Sequence, residues 1–376
     1  MIRRTPLYER HIASGARMVN FAGWEMPVQY AGILDEHRSV RQGCGIFDIS
    51  HMGEFLVRGD QAPQWLDSML TNCVATLELG HAEYSLMLNE RGGIIDDLML
   101  YRTGTEEFLL IVNAAKIEED FSWLQAHLGD SLNRDTSRLE LINCSADYAA
   151  FAVQGPESPT VFAKVLPFAW DERRNHIAPL TISKGPAAPS QFDQSARAFI
   201  ATTGYTGEQG FEIFVPAREA ERYWDLFVAA GAKPCGLGAR DILRLEMCYP
   251  LNGSDLSPDL TPLEAGLSPF VDFDKENFVG RDALLKQKAD GVERKLSAIR
   301  VQEKSPPIRP HYALVAHGEV VAETTSGALS PSLGCGIALG YLPFPLAKPG
   351  QDLEIEVRGK RYSACVVKKP FYHPQS

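Results

Sequence analysis

Residues 92–101, GGIIDDLMLY, set two adjacent carboxylates inside an apolar run. Neighbouring side chains of a strand point to opposite faces, so Asp96 and Asp97 cannot both face solvent. Two accommodations are open. The pair caps a tight turn at a sheet edge, or one member faces the interior. In the second case desolvation by apolar neighbours raises its pKa, and it can exchange a proton with a bound substrate near neutral pH.

The surrounding pattern limits the fold further. EFLVRG is a strand, DQAPQWLDSML a helix, and YSLMLNE and DDLMLYR are strands joined by a glycine turn. EFLLIVNA, the helix AKIEEDFSWLQAHLG and the strand SRLELINC follow. This order predicts an α+β sandwich, loosely ferredoxin-like. A similar run begins at YAAFAVQG, continues through the helix GPESPTVFAKVL, and is broken by a variable excursion at 168–197. The strands ARAFIATTG and GFEIFVP come next. A helix then runs between Pro216 and Gly231, and another over GARDILRLEM, starting near Ala239. TPLYERHIASG and GILDEHRSVRQG are short N-terminal helices, and 250–266 is turn-rich. Beyond about 290, short strands between Gly/Pro/Ser turns predict a small all-β domain. The expected division is a catalytic region at 1–275, with 53–143 as a second subdomain, and a C-terminal domain at 290–376.

Bulk properties exclude several classes. The chain has 376 residues and a net charge of −11, with no basic run, which argues against nucleic acid. Seven cysteines, an odd number without a CxxC pair, suit a reducing, cytoplasmic compartment, or the mitochondrial matrix in a eukaryote. The nine histidines show no HExxH spacing, so no metal site is expected. No apolar run approaches membrane-spanning length, and the basic N-terminus lacks the apolar core of a secretory signal. Without such a signal, the sequons at Asn143 and Asn252 carry no weight.

Three more stretches bear on chemistry. GYTGEQGFEIF has glycines at 204, 207 and 210, and a strand follows instead of a helix, so a dinucleotide fingerprint fails on context. It is either a glycine-rich hairpin alone, or a hairpin that also aims Glu212 away from Phe211 and Ile213 into a pocket. A carboxylate there would accept two parallel hydrogen bonds from a guanidine-like heterocycle edge. GLGARD leads into a helix whose free N–H groups favour an anion, with Arg240 and Arg244 one turn apart. The alternative is a solvated basic face. His51 is a lone histidine suited to a structural role.

Many motifs in order resemble one family, the aminomethyltransferases, or T-proteins, of the glycine cleavage system. They are TPLYERHIASGARMVNFAGWEMPVQY, FDISHMGEF, LNERGGIIDDLMLYR, VNAAKIEED, AVQGP, TGYTGEQGFEIFVP, GLGARDILRLE, TPLEAGL, FVGRDALL, TSGALSPSLGCGIALGYLP and VVKKPFY. The resemblance spans nearly the whole chain. It implies a three-domain cloverleaf around a central folate pocket, ending in a β-barrel-like domain. It also implies the reaction: aminomethyl-lipoyl H-protein and tetrahydrofolate give 5,10-methylenetetrahydrofolate, ammonia and dihydrolipoyl H-protein.

Carried over by motif, Asp97 is the catalytic carboxylate and Glu212 holds the pterin edge. Tyr205, Arg240, Tyr84, Asn113 and Met52 line the folate pocket. Either Arg240 or Arg244 suits the glutamyl tail. Thr202, Gln209, Asn252 and Cys335 depart from the family pattern. The lipoylated H-protein is the expected partner, with Lys286, Lys288, Arg294 and Lys295 as a basic docking cluster. Folate-dependent demethylases of small methylated substrates share the fold and are the alternative. A folate-binding iron–sulfur maintenance protein is less compatible, because no cysteine stands in NFVGRDALL.

Overall fold

The structure, a computed structural model, describes residues 2–130, 139–166, 173–180 and 198–374. Most of the excursion expected at 168–197 lies outside the described residues. The part that is described forms the short strand Ile177–Pro179.

Two sheets carry the site. The first orders its strands Ile177–Pro179, Phe199–Ala201, Gly210–Pro216, Tyr148–Gln154, Gly45–Asp48, Lys233–Pro234. Along Gly210–Pro216, Phe211, Ile213 and Val215 enter a core with Trp224 and Phe227 of the helix Ala220–Ala230. Phe214 turns the other way. The second sheet is antiparallel in the order Ala82–Leu88, Ile94–Gly104, Glu107–Val112, Gly53–Arg58, Glu140–Asn143. Leu98 and Leu100 face the helices Ala62–Met69 and Ile117–Asp130, together with Phe55 and Leu110. Tyr101 and Ile111 face the first sheet and share a core with Phe47 and Phe214. The two sheets therefore bury one face against each other, and alternation along each strand decides what enters the space between them. Backbone bonds from Ile177 N to Gly80 O and from Ala82 N to Asn175 O, both 2.8 Å, join their edges.

The expected all-β domain is a closed six-stranded barrel: Arg294–Val301, Cys335–Pro343, Glu319–Ser330, Ala313–Ala316, Asp352–Val357 and Lys360–Val367. The helix Leu237–Glu246 wedges it onto the first sheet. Leu245 packs with Ala298 and Leu339. Arg244 donates to Asp255 and Ser326, each at 2.8 Å. Glu246 joins Ser330 at 2.5 Å to His37 at 3.0 Å and Arg41 at 2.7 Å.

Several expectations need correcting. The aspartate pair does not cap a turn: Asp96 and Asp97 lie within the strand Ile94–Gly104, paired with Met87 and Leu86, and the pairing with Glu107–Val112 begins two residues on, at Met99. The Leu237–Glu246 helix begins two residues before Ala239. A hairpin, Arg17–Phe21 with Trp24–Gln29, has no counterpart in the sequence reading; it turns at Ala22 and Gly23, with φ of 51° and 80°. The segment after 260 also contains the helices Pro262–Ala265, with a Thr261/Glu264 capping box, and Arg281–Asp290. Leu284 of the second helix packs on Leu86 and Ile94, closing the end of the sheet that starts the Asp96–Asp97 strand.

Candidate active site

Within Ile94–Gly104, alternation sends Asp97 and Tyr101 toward the first sheet and Asp96 toward the helices. Asp96 is fully buried, while Asp97 is half-buried. The Tyr84 hydroxyl donates to Asp97 Oδ2 at 3.0 Å, and Asn113 Nδ2 donates to Asp97 Oδ1 at 3.0 Å. Burial, then the Asp96 charge, pushes the Asp97 carboxyl up to about 7, against the pull of the Tyr84 and Asn113 bonds. Both open readings of the pair are thereby narrowed to the interior one.

The facing wall carries Glu212. It points away from Phe211 and Ile213, so the glycine-rich segment is both a hairpin and a means of aiming this side chain. The Thr203 hydroxyl donates to Glu212 Oε2 at 2.5 Å, and the Tyr101 hydroxyl lies 3.4 Å from the same oxygen. Among the described residues Oε1 accepts no hydrogen bond. Gly204 and Gly210 leave room for the buried Gln154 amide, which an added Cβ at either would approach to 2.1 and 2.5 Å.

Tyr205 stacks on Tyr249 at 5.7 Å, and its hydroxyl is held by the Pro250 carbonyl. Arg240 lies over the Tyr205 ring at 4.9 Å. Its Nη1 is buried without a partner among the described residues. Burial lowers its pKa, while the charge of Glu212 opposes the shift. The Tyr205 phenol in turn feels both Asp97 and Arg240. Asp97, Tyr84 and Asn113 thus belong to one electrostatic neighbourhood with Tyr205, Arg240 and Glu212. Met52 packs against the shared core beside Met99. His51 is buried, and its Nδ1 has no partner among the described residues. Burial first, with a smaller push from Arg240, lowers its pKa to about 4, so the ring is neutral.

Three expectations are settled differently. Arg244 is spent on Asp255, Ser326 and Asp241, which leaves Arg240 as the available cation. The amide of Gly236, at the start of the same helix, already has an anion: it donates to Glu36 Oε2 at 2.8 Å. In the basic cluster Lys286, Lys288 and Lys295 are exposed, but Arg294 is bound to Glu264 at 2.8 Å. Sequence reasoning missed Tyr101, Thr203 and Tyr249. Tyr101 was findable, being four residues from Asp97 on the same strand face. Among the departures, Thr202 caps the backbone N–H of His176 at 2.9 Å, and Asn252 Nδ2 donates to Ile95 O at 3.3 Å, next to the aspartates. Among the described residues no group of three or more His, Cys, Asp or Glu could hold a metal.

The arrangement offers an acceptor carboxylate, an unpaired guanidinium N–H and a carboxyl that titrates near neutrality, all between apolar and aromatic walls. It suits a polar heterocycle with an anionic tail.

Comparison with known proteins bears on the same point. Residues 7–275 match the GCVT N-terminal domain, and 294–373 match the glycine cleavage T-protein C-terminal barrel domain. An aminomethyltransferase of Thermotoga petrophila is 44% identical over 99% of this chain and 98% of its own length. One from Desulfitobacterium hafniense (strain Y51) is 41% identical over 100% and 99%. The crystal structure of glycine cleavage system aminomethyltransferase T from Bartonella henselae superposes with a TM-score of 0.90 at 32% identity, covering 100% of this chain and 99% of that one. With both of its regions matched and its fold reproduced over the full length, the chain belongs to the aminomethyltransferase (T-protein) family of the glycine cleavage system.

Proposed function

We propose that the space between the two sheets binds tetrahydrofolate and moves to it the one-carbon unit of an aminomethyl group carried on the lipoyl arm of an H-protein. The observation that carries this reading is that Arg240 and Tyr205 connect Glu212 to Asp97: Arg240 feels the charge of Glu212, and Tyr205, beneath Arg240, feels that of Asp97. Among the described residues Glu212 Oε1 accepts no hydrogen bond, and Asp97 has a proton affinity near neutrality.

Glu212 accepts side-by-side N–H bonds from the pterin amide and exocyclic amine, a geometry that a neutral residue matches less well. Thr203 and Tyr101 hold the carboxylate in place through Oε2. Tyr205 and Tyr249 supply an aromatic wall, and Arg240 meets the anionic glutamyl end. Tyr84, Asn113 and Met52 complete the lining beside Asp97.

The reaction balances as follows. One carbon–sulfur and one carbon–nitrogen bond break in the aminomethyl donor, and two carbon–nitrogen bonds form to folate. The two folate N–H protons end on the lipoyl sulfur and on the departing ammonia. Asp97 takes up and returns a proton on its Oδ atoms, and Tyr84 and Asn113 keep those oxygens in register with the substrate. Lys286, Lys288 and Lys295 are exposed cations of the docking cluster offered to the partner protein, and a reducing compartment such as the cytoplasm is the proposed setting.

The test is turnover. Aminomethylated lipoyl H-protein plus tetrahydrofolate should yield methylenetetrahydrofolate and ammonia. Turnover of small methylated amines in its place would replace this reading with the demethylase one.

A further inference from the structure

Asp120 sits in the first turn of the Ile117–Asp130 helix, on the face that carries Ile117 and Leu124 into the core. It is fully buried. Neither of its oxygens meets a donor among the described residues. The carboxyl of Asp96 lies beside it and each carboxyl feels the other, with Lys116 and Glu119 as the further charges that act on Asp120. Asp96 in turn is fixed by Asn113: Oδ2 accepts the backbone N–H at 3.0 Å, and Oδ1 accepts Nδ2 at 2.8 Å. The same Nδ2 reaches Asp97 O and Asp97 Oδ1, each at 3.0 Å.

We infer that Asp120 keeps its proton at working pH, donates it to Asp96, and so positions Asp97 through the Asn113 amide. The inference rests on the proposed role of Asp97 for its catalytic meaning; the placement of the proton does not. Two ionised carboxylates in contact, with no donor to one of them, cannot both persist in a dry interior. The other groups facing the pair do not supply a remedy. From the helix's own start, Lys116 is turned to Glu119 at 2.8 Å. From the sheet, Tyr84 donates to Asp97. Tyr205 faces Asp97 from the first sheet's loop with its hydroxyl already committed to Pro250. Burial and the Asp96 charge push the Asp120 carboxyl up to about 11, in agreement.

The consequence for Asp97 is geometric and electrostatic. An anionic Asp96 can be met only by the NH₂ end of Asn113, because the amide oxygen would face a carboxylate. That fixes which end of Asn113 reaches Asp97. The Asp96 charge also raises the proton affinity of Asp97. Asp120 is therefore a positioning residue, acting through two others.

Asp120→Asn keeps a donor to Asp96 without a titrating proton. Asp120→Leu removes the donor, and Asp96 then takes up a proton of its own. The Asn variant is expected to retain kcat and its pH profile within about threefold. The Leu variant should lose on the order of tenfold or more in kcat, with little change in KM for folate, and its acid limb should move to lower pH. Infrared spectra of the resting proteins at pH 8 give a readout that needs no catalysis and no Leu variant. The un-ionised carboxyl signal of the wild type should lose one band in Asp120→Asn, while that of the buried Glu54, whose oxygens have no partner among the described residues, persists. If the band count is unchanged, the inference is overturned. Equal impairment of Asn and Leu variants overturns the positioning role. A wild type that shows the band but transfers no aminomethyl group overturns the proposed function instead.

Discussion

Replacing Asp97 with Asn should make the protein more stable and less active, and the stability gain should depend on pH in a defined direction. The Asp97 carboxyl is raised from 3.8 to about 7, chiefly by burial. Between those values the folded chain holds a proton that the unfolded chain has released. Folding therefore loses stability as pH rises through the window, and the loss is complete above about pH 7. Three units correspond to at most about 4 kcal/mol at pH 8. An amide removes the ionisation and still satisfies its surroundings. Its oxygen accepts from Asn113, its NH₂ donates to the Tyr84 hydroxyl, and that hydroxyl rotates to receive it. We expect a gain of at least about 1 kcal/mol at pH 8 that shrinks toward zero at pH 4, read as the difference in melting temperature between variant and wild type across pH. Transfer from aminomethylated lipoyl protein should fall about 100-fold or more over the same range, the usual scale for a lost acid–base group. A gain that is equal at pH 4 and pH 8, or a variant that transfers at the wild-type rate, would refute this account of Asp97.

Two further outcomes follow from the geometry. Asp255→Ala leaves the buried Arg244 charge with Asp241, Ser326 and the Tyr249 carbonyl, and unlatches the barrel from the 250–260 turn. It should lower stability by about 3–5 kcal/mol, visible as a large fall in melting temperature. Lys286→Glu with Lys288→Glu reverses two exposed charges. It should raise KM for the lipoyl protein, most strongly at low salt, while leaving tetrahydrofolate affinity unchanged; a salt-independent KM would count against docking there.

Period-two alternation was the most informative feature of the sequence. It separated Asp96 from Asp97 and turned Glu212 away from Phe211 and Ile213, and these placements depend only on strand geometry. What each of the two aspartates meets is set by residues such as Tyr84 and Asn113, distant along the chain. The choice between Arg240 and Arg244 was illegible for the same reason. Arg244 is removed from the site by Asp255, eleven positions away, and by Ser326 of the barrel. The Arg17–Phe21 hairpin was hidden because its turn uses Ala22 at φ 51°, a conformation that an alanine seldom adopts and that no turn signature announces. Asp120 did leave a trace. Ile117, Asp120 and Leu124 share one helical face, so a charge stood on the apolar stripe of the helix.

The account depends most on Glu212 gripping the pterin. Calorimetric titration of tetrahydrofolate into the wild type and into Glu212→Ala tests it directly. Losing two charge-assisted hydrogen bonds should weaken binding by about 100-fold or more, while the fold and melting temperature stay close to wild type. Equal affinities in the two proteins would contradict it.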